Sequence, residues 1–130
     1  MIEYICNRCN LIHPIDAPRY KCDCGSPLNL KKTATSFPTK AIEKRGNTLW
    51  RYHEALPVST TFADASIISL GEGMTPLISF DDSPHDHCFK LDFIFPTGSY
   101  KDRGASVLLS KVKELGVQEI VEDSSGNAGA

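Results

Sequence analysis

The chain has 130 residues, of which 41% are hydrophobic and 23% are charged, and its formal net charge is −2. This composition is typical of a soluble globular protein and excludes a wholly disordered or collagen-like chain. No apolar run is long enough to predict a transmembrane helix, and the first residues lack the basic and apolar regions of a secretory signal. We therefore expect a cytoplasmic protein.

Four of the five cysteines fall in the first 24 residues, as the pairs Cys6-x2-Cys9 and Cys22-x-Cys24. Two close pairs of thiolates separated by a loop can surround one tetrahedral Zn²⁺. The sequence therefore predicts a zinc-ribbon-like segment over residues 1–32, with a structural zinc ion bound by all four. The second pair is one residue tighter than usual. The alternative is a disulfide framework, which a reducing cytoplasm disfavours.

The middle of the chain is predicted to be a connecting region. Residues 33–68 are largely polar and predict a linker with a short helix near residues 41–45. The single tryptophan, Trp50, is expected to be a packing anchor because an indole buries a large apolar area. Residues 69–76 predict a loop before a strand, and proline with neighbouring acidic residues predicts a turn over residues 81–84.

A strand, a helix and a second strand are predicted next. Residues 87–95 begin with strand-like alternation, and Ser99 with Asp102 fits a capping box that starts a helix at Tyr100. The apolar side chains of this helix recur at helical spacing and predict one buried face, formed by Ala105, Leu108, Leu109, Val112 and Leu115. Residues 117–121 predict the second strand, which gives one βαβ unit with parallel strands.

Two polar side chains are predicted to meet at one end of this unit. Lys101 lies in the opening turn of the helix, and Asn127 lies in the loop after the second strand. Ligands of open α/β sheets bind at the carboxyl ends of the strands, beside helix N-termini. The positive end of a helix dipole disfavours an ammonium group, and Schiff-base chemistry needs a neutral amine. On position alone, an ordinary surface lysine is the alternative.

Four segments resemble those of a known enzyme family. Residues 89–104, FKLDFIFPTGSYKDRG, resemble the lysine motif of the threonine synthases, which belong to the fold-type II family of pyridoxal-phosphate enzymes. Residues 124–130, SSGNAGA, resemble the asparagine loop of that family. Residues 70–77, LGEGMTPL, and residues 49–58 resemble two further N-terminal pieces of threonine synthases. The order of the four segments makes the resemblance specific.

The resemblance implies a cofactor and a reaction. It implies that Lys101 binds pyridoxal 5′-phosphate covalently and then moves protons, and that Asn127 hydrogen-bonds the 3′-oxygen of the cofactor. The reaction of the family converts O-phospho-L-homoserine and water into L-threonine and phosphate. The expected partner is thus a small-molecule amino-acid substrate, and the resemblance is compatible with a homodimer of the full-length enzyme.

We therefore expect an α/β protein in three segments. Residues 1–32 form the zinc-ribbon-like segment, residues 33–68 a linker and helical region, and residues 69–130 the first βαβ part of a fold-type II domain. We expect that domain to be truncated and the 130-residue chain to be inactive alone.

Two alternatives stay open for the function. One is another fold-type II enzyme, such as a threonine or serine dehydratase or a cysteine or cysteate synthase. The other is a zinc-ribbon module that binds nucleic acid or protein and carries a degenerate enzyme remnant. Interleaved aromatic and basic residues are missing, which argues against nucleic acid as the partner. No membrane partner is expected.

Overall fold

The N-terminal segment is a small antiparallel sheet. The computed structural model describes residues 2–32, 36, 38–59, 67–80 and 87–129. The sheet contains β1 (Ile2–Cys6), β2 (Ile12–His13) and β3 (Leu28–Lys32), in the order β2-β1-β3. Both β2 and β3 pair antiparallel with β1. β1 ends at Cys6, and the sheet thus places the Cys6 thiol close to the other three N-terminal cysteines.

The middle segment contains two short helices. The predicted helix near residues 41–45 lies slightly earlier, as α1 (Thr39–Ile42), and a 3₁₀ helix follows at Leu49–Ala55. Arg45 joins the two, because its guanidinium donates to both carboxylate oxygens of Glu54, at 2.6 and 2.8 Å. Trp50 is buried, as a packing anchor should be.

A hairpin replaces the longer strand that the sequence predicts. The strands β4 (Leu77–Phe80) and β5 (His87–Lys90) pair antiparallel, and the predicted turn at 81–84 lies outside the described residues. The strand predicted over 87–95 ends early because residues Asp92–Ile94 form a 3₁₀ turn. The side chain of Asp92 accepts hydrogen bonds within the fold, and these bonds hold that turn.

The long helix buries a different face from the one predicted. This helix, α2 (Asp102–Glu114), leaves Leu108 60% exposed. The buried positions are Asp102, Ser106, Ser110 and Lys111. The burial of Ser110 goes with hydrogen bonding, because its Oγ accepts from Ile68 N at 2.9 Å and donates to Ile68 O at 3.3 Å. Of the five apolar side chains at helical spacing, Ala105 and Leu108 are exposed, and Leu109, Val112 and Leu115 are half-buried. No described helix is long and apolar enough to cross a membrane.

The second strand of the predicted βαβ unit is not formed. Residues 117–121 follow α2 without strand pairing in the described chain, and Val121 is 87% exposed. A strand needs a neighbour for its backbone groups, and neither described sheet offers one here. Both described sheets are antiparallel. The described part of the chain therefore contains helices and small antiparallel sheets, whereas the sequence predicted a parallel sheet.

The ion pair between α1 and the 3₁₀ helix predicts acid sensitivity. The hydrogen bonds from Arg45 lower the pKa of Glu54 from 4.5 to about 2. A carboxyl whose pKa is lower in the folded state stabilises that state above its unfolded pKa, and the contribution is lost as the pH falls from 4.5 towards 2. We expect the urea midpoint of the wild type to fall more steeply across this range than that of Glu54→Gln.

Circular dichroism at a series of pH values checks this expectation. Glu43→Gln is the control, because Glu43 is exposed and close to the same helix. Parallel pH profiles for the wild type and Glu54→Gln would contradict a role for the Arg45–Glu54 pair.

Candidate functional site

The structure brings the four N-terminal cysteines together. The Sγ atoms of Cys6, Cys9, Cys22 and Cys24 all lie within 4.8 Å of one another, and two of the pairs are 3.5 Å apart. Four sulfurs bound to one tetrahedral Zn²⁺ would be about 3.8 Å apart, given zinc–sulfur bonds of roughly 2.3 Å. The donor set and its size therefore fit zinc, and the tight second pair does not prevent the cluster.

Two backbone turns of similar design produce this cluster. In the first, Asn10 N donates to Cys6 O at 2.8 Å. In the second, Gly25 N donates to Cys22 O at 2.8 Å, and Cys22 N donates to Ser26 O at 2.9 Å. Gly25 has a φ of +83°, a left-handed conformation that glycine adopts without steric cost. Each turn thus directs two thiols towards the same point.

Two thiols of the cluster have pKa values shifted in opposite directions. The backbone N–H of Ser26 and then the thiol of Cys6 lower the pKa of Cys24 to about 6. The pKa of Cys9 is raised to about 12, since hydrogen bonds with neighbouring thiols outweigh the backbone N–H of Leu11, the largest single influence, which lowers it. Metal ligation requires thiolates, so binding of zinc must release protons from this cluster.

The sequence pattern did not indicate any role for His13. In the structure His13 is 6% exposed, and its Nε2 lies 3.3 Å from the Sγ of Cys22. The available signal was its place in a short strand only four residues after Cys9. A histidine so close to a cysteine pair can supply a ligand or a hydrogen bond to a metal site.

A second group of residues surrounds Lys101. Lys101 is the N-cap of α2, so the helix begins at Asp102 and not at Tyr100 as predicted. The predicted capping box is also altered. The carboxylate of Asp102 accepts from the backbone N of Thr97 at 3.1 Å and from its hydroxyl, while Ser99 Oγ accepts from Lys101 N at 3.3 Å. These bonds fix the turn that presents the lysine.

A polar network supports this turn from behind. Arg103 Nη2 donates to Asp92 Oδ1 at 3.1 Å and to Thr75 Oγ1 at 3.3 Å, while Thr75 Oγ1 donates to Asp92 Oδ1 at 2.5 Å. The guanidinium also lies 4.6 Å from the ring centroid of Phe95. The bonds from Arg103 and Thr75 lower the pKa of Asp92. These hydrogen bonds connect the segment before β4, the 3₁₀ turn and the first turn of α2, which follows Lys101 directly.

A cavity of about 190 Å³ brings Lys101 and Asn127 together. Its walls are the loop 68–72, the first turns of α2 and the loop that contains Asn127. The proximity predicted for the two side chains is therefore present, although no second strand carries Asn127. Their roles in binding a cofactor stay predictions.

Glu72 is the most deeply buried side chain of the cavity wall, with 1% exposure. Its Oε1 accepts from Trp50 Nε1 at 3.1 Å, and its Oε2 accepts from Ser69 Oγ at 2.9 Å and from Leu70 N at 2.8 Å. The carboxylate thus joins the 3₁₀ helix to the loop that lines the same cavity as Lys101. The LGEGMTPL segment was predicted as a loop, but this role of its glutamate was not.

The backbone closes the same junction. Leu49 N donates to Glu72 O at 2.7 Å. Gly73 has a φ of +128°, and a Cβ there would lie 2.5 Å from Leu49 N. Only glycine permits this approach of the two segments. The contact positions the wall of the cavity independently of the carboxylate.

The cavity fits part of a pyridoxal phosphate molecule. It offers the amine of Lys101, the amide of Asn127 and the buried hydroxyl of Ser106, which has no hydrogen-bond partner in the described chain. Among the described lining residues Lys101 is the only cation, against the carboxylates of Glu72 and Asp102. Known ligand pockets are larger, about 300–1,000 Å³. The described lining residues do not include a cradle of cations for the phosphate group.

Comparison with known proteins supports the resemblance to pyridoxal-phosphate enzymes. Residues 68–130 match the family described as pyridoxal-phosphate dependent enzyme. This segment contains Lys101, Asn127 and the whole wall of the cavity. The resemblance to pyridoxal-phosphate enzymes that the motifs indicate is therefore confirmed. No solved structure gives a significant match.

The curated proteins that the chain matches are threonine synthases. The chain is 32% identical to the threonine synthase of Methanocaldococcus jannaschii, over 96% of this chain and 32% of that protein. It is 37% identical to the threonine synthase of Halalkalibacterium halodurans over 63% of this chain and 23% of that protein, and 27% identical to that of Methanosarcina acetivorans over 100% and 33%. The chain thus spans a third or less of their length, and the resemblance to threonine synthases is confirmed.

The hydrogen bonds of Glu72 predict a stability loss for Glu72→Gln. The amide group of glutamine would face an N–H or O–H donor where the carboxylate accepts, which leaves a buried donor without a partner. We expect a loss of about 1–3 kcal/mol in the free energy of unfolding. Trp50, the only tryptophan, donates to Glu72, so its fluorescence in a urea titration measures the effect directly.

Glu119→Gln is the control for this substitution because Glu119 is exposed and changes charge in the same way. Equal urea midpoints for Glu72→Gln and Glu119→Gln would contradict the assigned role of the Glu72 carboxylate.

Proposed function

We propose that this chain contributes the lysine-bearing part of a threonine synthase-like, pyridoxal-phosphate-dependent lyase. The proposed reaction of the whole protein converts O-phospho-L-homoserine and water into L-threonine and phosphate. The observation that carries this proposal is the cavity shared by Lys101 and Asn127, in a chain whose curated relatives are threonine synthases.

The proposed roles follow from the chemistry of the lining groups. When bound, pyridoxal phosphate supplies an electron sink for charge that develops on the substrate. Lys101 Nζ holds the cofactor and carries protons to and from the substrate carbon atoms. The side-chain amide of Asn127 donates to the 3′-oxygen of the cofactor. Asp102 and Ser99 keep the turn before α2 in place, so that Lys101 starts from a fixed backbone.

The proposal also covers the organisation of the chain. Residues 1–32 form a metal-binding ribbon, residues 33–68 connect it to the enzyme part, and residues 69–130 begin the cofactor domain. The proposed partner is a small amino-acid substrate, and the proposed setting is a cytoplasmic enzyme that forms a homodimer. Because the described cavity has one cation and two carboxylates, we propose that residues 1–130 alone form no threonine.

Replacement of Lys101 tests the cofactor site. In the protein expressed from its complete reading frame, we expect Lys101→Ala to lose the visible absorbance of covalently bound pyridoxal phosphate. Asn127→Ala should retain the absorbance but bind the cofactor about 10-fold to 100-fold more weakly, as the loss of one hydrogen bond to a charged group predicts. Lys44→Ala is the control, because Lys44 is exposed and does not line the cavity.

The outcome of a substrate screen separates the candidate enzymes. Release of phosphate with formation of threonine supports the proposal, whereas formation of a 2-oxoacid from serine or threonine would assign the protein to the dehydratases. Absorbance that survives Lys101→Ala would remove Lys101 as the attachment point.

We further propose that Cys6, Cys9, Cys22 and Cys24 bind one structural zinc ion. The mutual approach of their four sulfurs supports this proposal. Four protein ligands fill a tetrahedral shell, which leaves no open position for substrate or water. The role of the ion would therefore be to hold the two cysteine turns and the three-stranded sheet together.

Metal analysis tests the zinc site. We expect one zinc ion per chain and a loss of most of it in Cys6→Ser, because Cys6 is the fully buried ligand at the end of β1. Cys88→Ser is the control, since Cys88 is an exposed cysteine outside the cluster. Atomic absorption after dialysis measures the content. Equal zinc in both variants, or none in the wild type, would contradict the site.

A further inference from the structure

The four cysteine sulfurs of the proposed zinc site differ in the polar atoms that surround them. The Sγ atoms of Cys6 and Cys24 lie 3.5 Å apart, and so do those of Cys9 and Cys22. The Sγ of Cys22 also lies 3.3 Å from the Nε2 of His13. A ring N–H beside a sulfur stabilises the negative charge that a metal-bound sulfur retains.

His13 is built into the fold for this contact. It lies on β2 opposite Tyr4 of β1, so the sheet fixes its backbone. Its ring and the thiol of Cys22 are both buried, at 6% and 4% exposure, and the Nε2 to Sγ distance is 3.3 Å. A buried ring nitrogen needs a hydrogen-bond partner, and the sulfur of Cys22 is the partner that the structure shows.

The geometry places His13 outside the metal shell. The four sulfurs lie within 4.8 Å of one another, and that group of mutually close ligand atoms does not include His13. In the described chain the imidazole reaches one sulfur only, that of Cys22. Four thiolates complete the tetrahedron around zinc, so an imidazole beside one of them acts on the ligand and not on the metal.

We propose that His13 is a positioning residue of the zinc site, whose Nε2–H donates to the Sγ of Cys22 and holds this sulfur as a thiolate ligand. The bond spreads the charge of the four-thiolate site and orients one of its ligands. This inference rests on the zinc site proposed above. It adds His13 to the four cysteines as a fifth residue on which metal affinity depends.

Two substitutions of similar length test the donor. Glutamine and methionine are both flexible and close in size, but only glutamine has an N–H group that can donate to sulfur. In the full chain, we expect His13→Met to lower the affinity for Zn²⁺ about 10-fold to 100-fold, the usual effect of losing an outer hydrogen bond at a metal site. His13→Gln should bind zinc with nearly wild-type affinity. Competition with a chromogenic chelator measures both, and His53→Met, outside the ribbon, is the control.

Cobalt substitution provides a readout that a purely structural role would not change. The absorption from thiolate to Co²⁺ counts the sulfur ligands and reports the tetrahedral geometry. We expect four sulfur ligands in the wild type and in both His13 variants, with a shifted thiolate band in His13→Met only. A wild-type spectrum with three sulfurs and one nitrogen would make His13 a ligand and overturn the positioning role.

The results distinguish failure of this inference from failure of the site. If the wild type binds no zinc, the zinc site itself is wrong and His13 has no metal to support. If the wild type binds zinc and both variants bind it equally well or equally poorly, the site stands and the hydrogen bond of His13 is wrong. Urea titrations of the metal-free variants show whether their folds are equally stable.

Discussion

The buried carboxylate of Glu72 holds together the parts on which the cavity depends. It accepts three hydrogen bonds, from Trp50, Ser69 and Leu70, and these donors belong to two segments that are distant in sequence. A carboxylate removed from water is tolerated only where such donors are in place. The tryptophan therefore helps to fix the position of the loop, which lines the same cavity as Lys101.

Lys101 is positioned in a different way, by hydrogen bonds that fix the turn before α2. Asp92 and Asp102 each accept hydrogen bonds from a threonine hydroxyl, those of Thr75 and Thr97 respectively. Arg103 adds two bonds to the first carboxylate, at 3.4 and 3.1 Å. The turn before α2 is thus fixed by short polar side chains that bond to nearby backbone and hydroxyl groups. A long, mobile side chain such as lysine gains precision from a rigid starting point.

The ribbon and the cavity share no described side chain, although both place reactive groups by tight turns. In the ribbon, the turns at Cys6 and Cys22 bring sulfurs together over short loops. Lys101 and Asn127, which line one cavity, are separated in sequence by the whole of α2. The cysteine cluster is therefore a local structure, whereas the cavity depends on the packing of distant segments.

This contrast explains what the sequence could predict. Cysteine spacing is local, so the cluster was predictable, and motif order was enough to bring Lys101 and Asn127 to one place. The strand at 117–121 was not predictable, because a strand exists only where a neighbour pairs with it. The buried face of α2 was missed for a related reason. Periodicity finds the apolar face, whereas Ser110 is buried by its hydrogen bonds to another segment.

The two-stranded hairpin β4–β5 also shows how a larger sheet can be built here. In a pair of strands each member is an edge, and the described part of the chain places no third strand beside β4 or β5. All eight side chains of the hairpin are exposed. A polypeptide segment that paired with either strand would lengthen the sheet. The hairpin is thus a two-stranded sheet to which further strands can be added.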